Sequence, residues 1–266
     1  MKNNILLTQF LIFITLSVSA QVAGISGSKL DAVCVDVVDH HKIEFEPGIF
    51  HFSSHQHWDE NGKLSDIYQS SDSINTSTGM AFRFTYGLWD RFEIGTSILT
   101  DLSISNWGMR FVLFNKKKYG MALIAGANIP FGNKTYDRSL RLSQDLISVG
   151  GGVVGSFYFN QQFSIDMNAQ YQSYVGKTAE GNKGSWYINA DVGYYLFSNQ
   201  LQLITGFGYQ ISEFETLRNS ILTFYPGVTI ETGKNYIIVL STPFDIYGVN
   251  ADKVHGINLA LTLTFD

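Results

Sequence analysis

Three histidines, His51, His55 and His57, lie within seven residues and are followed by Asp59 and Glu60, with His40 and His41 shortly before. On an extended strand residues of one parity share a face, so the three imidazoles would converge on one side and could share a zinc-like ion. The stretch also leaves a strand and enters a long polar loop, where such groups are simply solvated. Solvation is the reading adopted, and no metal ligand is assigned. Cys34 is the only cysteine and has no partner for an internal disulfide. Gly150, Gly151 and Gly152 have no following helix, so they suggest close backbone packing or a bend rather than a phosphate loop.

Nucleophilic catalysis needs a hydroxyl or thiol within hydrogen-bond reach of a base. His255 falls on the outward parity near one end of the last strand, and outer-membrane phospholipases do place a Ser and a His on the lipid-facing wall of a twelve-strand barrel. No local motif marks a serine beside His255. No catalytic residue is therefore assigned, and neither an enzyme nor a cofactor is expected.

The remaining chemistry is charge in places that hydropathy would leave apolar. Glu44, Glu46, Arg83, Glu93, Arg110, Asp166, Asn168, Asp191 and Glu231 all fall on the inward parity of alternating segments. Ionisable groups at membrane depth are tolerated facing water or a partner, so these are the lumen-facing candidates. Arg83 and Glu93 are equidistant from a turn at 87–90, which predicts a cross-strand ion pair that stiffens the wall. Gln170, Tyr187, Asn189, Gln202 and Gln210 add uncharged hydrogen-bonding groups. No ring of one sign emerges, so strong ion selectivity is not expected.

The elements that must position these groups are strands. From Phe163 to Tyr171, apolar Phe163, Ile165, Met167, Ala169 and Tyr171 alternate with Ser164, Asp166, Asn168 and Gln170. Similar segments are placed near 43–53, 76–87, 91–99, 105–115, 119–130, 146–159, 162–174, 185–197, 200–211, 220–231, 235–245 and 254–265. The total is twelve, an even number, and most are long enough to cross a membrane when tilted. The connections at 87–90, 115–118, 160–161, 198–199 and 232–235 are short. Those at 54–75, 131–145, 175–184, 212–219 and 246–253 are long and polar, which is the alternation of periplasmic turns and external loops. Only 100–104 is shorter than that pattern wants, and it leaves ten or fourteen strands open. The fold expected is an all-β transmembrane antiparallel barrel, an up-and-down meander over 42–266. Its last strand turns Ile257, Leu259, Leu261, Leu263 and Phe265 outward and closes against the first.

Composition agrees. Charged residues are only 15% of the 266 and aromatics 14%, against about 25% charge in ordinary soluble proteins. The net charge of −5 comes with a single basic run, Lys116 to Lys118, so nucleic acid is not an expected partner. Residues 1–20 read as a secretory signal, with Lys2, an apolar stretch from Ile5 to Val18 and a small-residue site at Val18-Ser19-Ala20. Residues 21–41 follow as a periplasmic or plug segment. Val33, Val35, Val37 and Val38 make it more apolar than a free tail needs, and insertion into the lumen, docking on the periplasmic rim and disorder all remain open.

The segment Tyr86-Gly87-Leu88-Trp89-Asp90-Arg91-Phe92-Glu93-Ile94-Gly95 resembles a recurring turn in the outer-membrane barrels described as the MetA-pathway of phenol degradation, or transporter-like, family. In that family the turn is Tyr-Gly-Leu, a small polar residue, Asp, then an apolar-Glu-apolar-Gly strand; Trp89 departs from it. Glu44-Phe45-Glu46-Pro47 and Ile129-Pro130-Phe131-Gly132 are similar as well. The resemblance implies an outer-membrane protein that moves small hydrophobic or aromatic compounds, and it transfers no catalytic residue. The expectation is a monomeric channel or transporter in the bacterial outer membrane, surrounded by lipid, that passes small molecules passively. The rival is a closed barrel with a structural or surface-interaction role.

Overall fold

A computed structural model describes residues 22–27, 30–68, 74–130, 147–176, 184–197, 200–213, 218–231 and 235–265. The proposed signal at 1–20 and the whole loop at 131–145 lie outside them. The strands are β1 (Ile43–Trp58), β2 (Leu64–Asp66), β3 (Asn75–Trp89), β4 (Phe92–Leu99), β5 (Ile104–Lys116), β6 (Tyr119–Pro130) and β7 (Ser148–Tyr158). They continue with β8 (Phe163–Tyr174), β9 (Gly184–Leu196), β10 (Leu201–Glu213), β11 (Arg218–Glu231), β12 (Tyr236–Ser241), β13 (Phe244–Val249) and β14 (Ala251–Phe265). β2 folds back on the end of β1, while β12 and β13 occupy one wall position between β11 and β14. Fourteen strands thus make a wall of twelve. β1 pairs with β14 from Ile43↔Phe265 to Trp58↔Ala251, so the sheet closes and no edge is left in the membrane.

Side-chain parity follows from the pleat. On β8, Met167 is 43% exposed while its neighbour Asn168 is 3% exposed. Outside the wall stand Ile43, Ile49, Phe84, Ile94, Leu123, Val153, Leu203, Phe207, Leu259 and Phe265, a band of apolar side chains for hydrocarbon. The interior reverses the usual rule and buries Glu93, Arg110, Asp166 and Asp191.

Four local expectations are corrected. First, Arg83 is opposite Ser97 and Glu93 opposite Gly87, because β3 runs on to Trp89 and the turn falls at Asp90-Arg91, later than expected, so no Arg83–Glu93 pair forms across the strands. Second, a bulge between Ser54 and Gln56 breaks the alternation of the histidines. His51 and His55 stay exposed, whereas the His57 ring bonds to the buried carboxylate of Asp252 at 2.7 Å. Third, 246–253 is no loop: β13 runs to Val249 and β14 begins at Ala251, with Asn250 turning between them at a left-handed φ of 48°. Fourth, the strand expected at 235–245 is cut at Thr242-Pro243, where proline brings no ladder N–H. Beyond that cut β13 stays paired with β11 but meets β14 only at Phe244↔His255. A side chain bridges the seam instead. Asp245 accepts the Val254 N–H of β14 at 2.9 Å and the Thr223 hydroxyl of β11 at 2.6 Å.

The short 100–104 connection is real. β4 stops at Leu99, β5 starts at Ile104, and Leu102 takes a left-handed φ of 55° to make the turn.

Candidate functional site: an occupied lumen

Residues 22–27 and 30–38 run inside the barrel. They cross β6, β5, β4 and β3 in turn, reach over to β9, and return past β8 and β7 to β4 before entering β1. What allows the first crossing is a row of glycines. Thr85↔Gly95, Gly95↔Gly108, Gly108↔Gly126 and Gly126↔Gly150 are successive Cα partners, so inward positions on four adjacent strands carry no side chain. A Cβ at Gly95 would strike the carbonyl of Gly24, one at Gly108 the carbonyl of Ala23, and one at Gly126 the side chain of Val22. The backbone of the segment therefore lies almost on the wall. Thr85 donates its hydroxyl to the Gly24 carbonyl at 2.9 Å.

Three groups of wall side chains hold the segment. Glu93 and Arg110, both fully buried, pair at 2.7 Å. Glu93 also accepts the Ser26 N–H at 2.9 Å, the Ser26 hydroxyl at 2.6 Å and the Val38 N–H at 2.8 Å. Arg110 donates to the Cys34 carbonyl at 2.6 Å and to the Ser26 hydroxyl oxygen at 2.8 Å. A buried pair this well supplied with extra hydrogen bonds meets the condition under which burying two charges is tolerable. In the second group Arg83 binds Glu44 at 2.5 Å and Glu46 at 2.7 Å, and gives its remaining amine to the Ile25 carbonyl at 2.7 Å. Thr262 of β14 donates to Glu46 as well.

The third group lies across the lumen. One oxygen of Asp191 accepts the N–H groups of Leu30, Asp31 and Ala32 at 3.0, 2.9 and 2.9 Å, a concave run of backbone donors around an anion. Asp166 is the Cα partner of Asp191 and takes the Ser156 hydroxyl at 2.5 Å. Asn168 accepts from Val33 N–H at 3.0 Å, Ser156 from Val35 N–H at 2.9 Å, and Gln170 from Val22 N–H at 2.8 Å. Between these polar anchors Val22, Ile25, Val33 and Val35 pack on Val112, Ala122, Ile124 and Val154.

All nine inward candidates of the sequence thus lie on the interior side, and eight of them fall into the three anchoring groups. Glu231 stands apart, accepting the Tyr195 hydroxyl at 2.7 Å near the periplasmic turns. The glycine row was not anticipated, although each member shares the inward parity of its strand; what was lacking was the register that aligns them. Ser53 was missed too. Its hydroxyl sits 2.8 Å from His255 Nε2 on the outer wall, but no third group bonds the other ring nitrogen among the described residues. Cys34 lies against the Glu93–Arg110 pair through its own carbonyl. Burial pushes its thiol up to about 12, despite the opposing pull of the Arg110 guanidinium. Among the described residues no group of three His, Cys, Asp or Glu side chains is arranged to hold a metal.

Two spaces remain. Inside, about 180 Å³ lies between the segment and β1, β3 and β4, bounded by Ile25, Asp31, Glu46, Arg83 and Ser97. Outside, behind the glycine row, about 770 Å³ of apolar groove lies between Phe84, Ile94, Trp107, Met109 and Val149.

No family model and no curated protein matches this sequence. Among solved structures, an outer membrane channel from Pseudomonas putida F1 superposes with a TM-score of 0.71 at 14% identity, over 87% of this chain and 98% of that one. A KdgM porin in complex with disordered oligogalacturonate gives a TM-score of 0.52 at 7% identity, over 85% and 99%. The fold is that of outer-membrane channels. With its continuous apolar exterior, the barrel is built for the bacterial outer membrane.

Proposed function

We propose that this protein is an outer-membrane channel through which small molecules, hydrophobic or aromatic ones first, move passively, and that residues 21–41 are its occluding element. The observation that carries this reading is how the lumen is filled. The segment is joined to the wall chiefly by side chains that grip its backbone, rather than by a β-ladder, so it can leave without unpairing a wall strand. With the segment seated, the pocket beside it, about 180 Å³, is close to the ~150 Å³ of a cavity that holds benzene. The resemblance to transporter-like barrels of phenol degradation points to the same class of solute. We assign no catalytic role to any residue.

Planar-bilayer conductance of the refolded mature chain, with and without residues 21–41, tests the proposal. Small current from the full chain and a large increase on truncation are the expected results. Absence of current from both folded forms, together with no uptake of an aromatic probe by proteoliposomes, would overturn it. The dense bonding of the segment specifically favours the rival, a closed barrel that acts through its loops, and that double negative is the outcome it requires.

A further inference from the structure

The outer surface of β1, β3 and β14 changes character at one level. Going up from the periplasmic end, the outward residues of β1 are Ile43, Phe45, Pro47 and Ile49, then His51, Ser53 and His55. Those of β14 are Phe265, Leu263, Leu261, Leu259 and Ile257, then His255 and Lys253; those of β3 run Tyr86, Phe84, Phe82 and Met80, then Thr78 and Thr76. The register aligns the change, since His51 is the partner of both Thr78 and Ile257, and Ser53 of both Thr76 and His255. Eight residues from Ile43 to His51 at about 3.3 Å each, tilted by about 40°, rise roughly 20 Å, close to the height of the apolar band of such barrels. Trp107 and the tilted Tyr171–Trp186 pair mark the outer half of the wall elsewhere, as an aromatic girdle does. The histidines therefore stand where hydrocarbon gives way to the headgroups of the outer leaflet.

Hydrogen bonding prepares them for an anion. His51 Nδ1 is 2.7 Å from the Thr78 hydroxyl, and His255 Nε2 is 2.8 Å from that of Ser53. When each hydroxyl donates, the ring proton sits on the opposite nitrogen, and no partner for that nitrogen occurs among the described residues. The His55 ring meets His255 edge-on at 6.3 Å between centroids, and Lys253 follows on β14. Charged groups facing the patch among the described residues are thus His51, His55, Lys253 and His255, with Asp66 of β2 at its upper margin, held by Gln56 at 3.3 Å. β3 contributes only Thr76 and Thr78, and β13 only Phe244.

The geometry points to a binding site for the phosphorylated headgroup of an outer-leaflet glycolipid, formed by His51, Ser53, His55, Lys253 and His255, with the acyl chains lying along Ile49, Met80 and Ile257 below. The site is separate from the lumen, so its failure leaves the channel reading untouched.

Native mass spectrometry of the full mature chain in detergent provides the test, with a bis-phosphorylated acylated glucosamine disaccharide as probe and phosphatidylcholine as the neutral comparison. The wild-type chain is expected to retain the phosphorylated lipid selectively over phosphatidylcholine. The double variant Lys253→Ala with His255→Ala should retain it about tenfold less, given the size of single basic contacts to anionic lipid. If that variant loses heat-modifiable mobility, the single variant Lys253→Gln carries the comparison with a smaller loss. Equal retention of phosphatidylcholine, or undiminished retention by a folded variant, would overturn the site. Displacement of the lipid by excess inorganic phosphate would overturn the lipid assignment and leave an anion site alone.

Discussion

At the scale of single residues, the interior is a set of charges that exist for one another. Glu93→Ala would leave the Arg110 guanidinium buried beside the Ser26 hydroxyl without its counter-charge, an uncompensated arrangement that costs about 3–5 kcal/mol. The expected readout is a lower urea midpoint for the folded barrel in lipid vesicles; an unchanged midpoint would show the pair to be dispensable. On β8 two neighbours should part company. Met167→Arg puts a cation into hydrocarbon at about 2–4 kcal/mol, whereas Asn168→Ala orphans the Val33 N–H at about 1–3 kcal/mol. Tolerance of Met167→Arg without loss of stability would contradict the parity of that strand. Which residues face inward was legible from alternation alone, because the pleat has a period of two. Which of them meet was not. Arg83 meets Glu44 and Glu46 rather than Glu93 because partner choice depends on register, and the turn at Asp90-Arg91 set it.

At the scale of elements, the segment over 22–41 and the glycine row are two halves of one device. Gly108→Val places a branched side chain where the Ala23 carbonyl lies, and the segment should then fail to seat while the wall still closes. Cys34 reports this without a label elsewhere. Held near a pKa of about 12 by burial, its thiol stays protonated from neutral pH up to that value and should alkylate slowly at about pH 8, where an exposed thiol of pKa ≈ 8.5 reacts readily. Fast alkylation in Gly108→Val and slow alkylation in the wild type is the expected contrast, and equal rates would separate the glycine row from seating. Nothing in residues 21–41 alone fixed their location. Their valines fitted a lumen, a rim or no site at all, and the answer lay in side chains 55 to 161 positions away. The cut at Thr242-Pro243 was readable in principle, since proline seldom sits inside a paired strand. The apolar run around it concealed the break.

At the scale of the whole molecule, closure of β1 on β14 makes the barrel one cooperative unit, and its loss should be visible as heat-dependent gel mobility. Removing residues 21–41 is expected to preserve that mobility shift but to lower the temperature at which it disappears, because the truncation empties the interior without removing a wall strand. Truncated protein with no shift at all would make the segment a structural member of the barrel. Twelve wall positions could be counted from hydropathy because every strand crosses the same thickness of lipid. The seam between β13 and β14 could not, because a side chain substituting for a ladder bond leaves no trace in periodicity.

The path of the N-terminal segment bears on the order of assembly. Its described anchors are spread over β3 to β9, and its closest approach is to the bare glycine backbone of β4 to β7. A chain lying in that trough is in contact with strands that still have to curl through a full circle. The segment is thus placed to act as a mandrel, setting the radius of the central strands before the two ends of the wall meet.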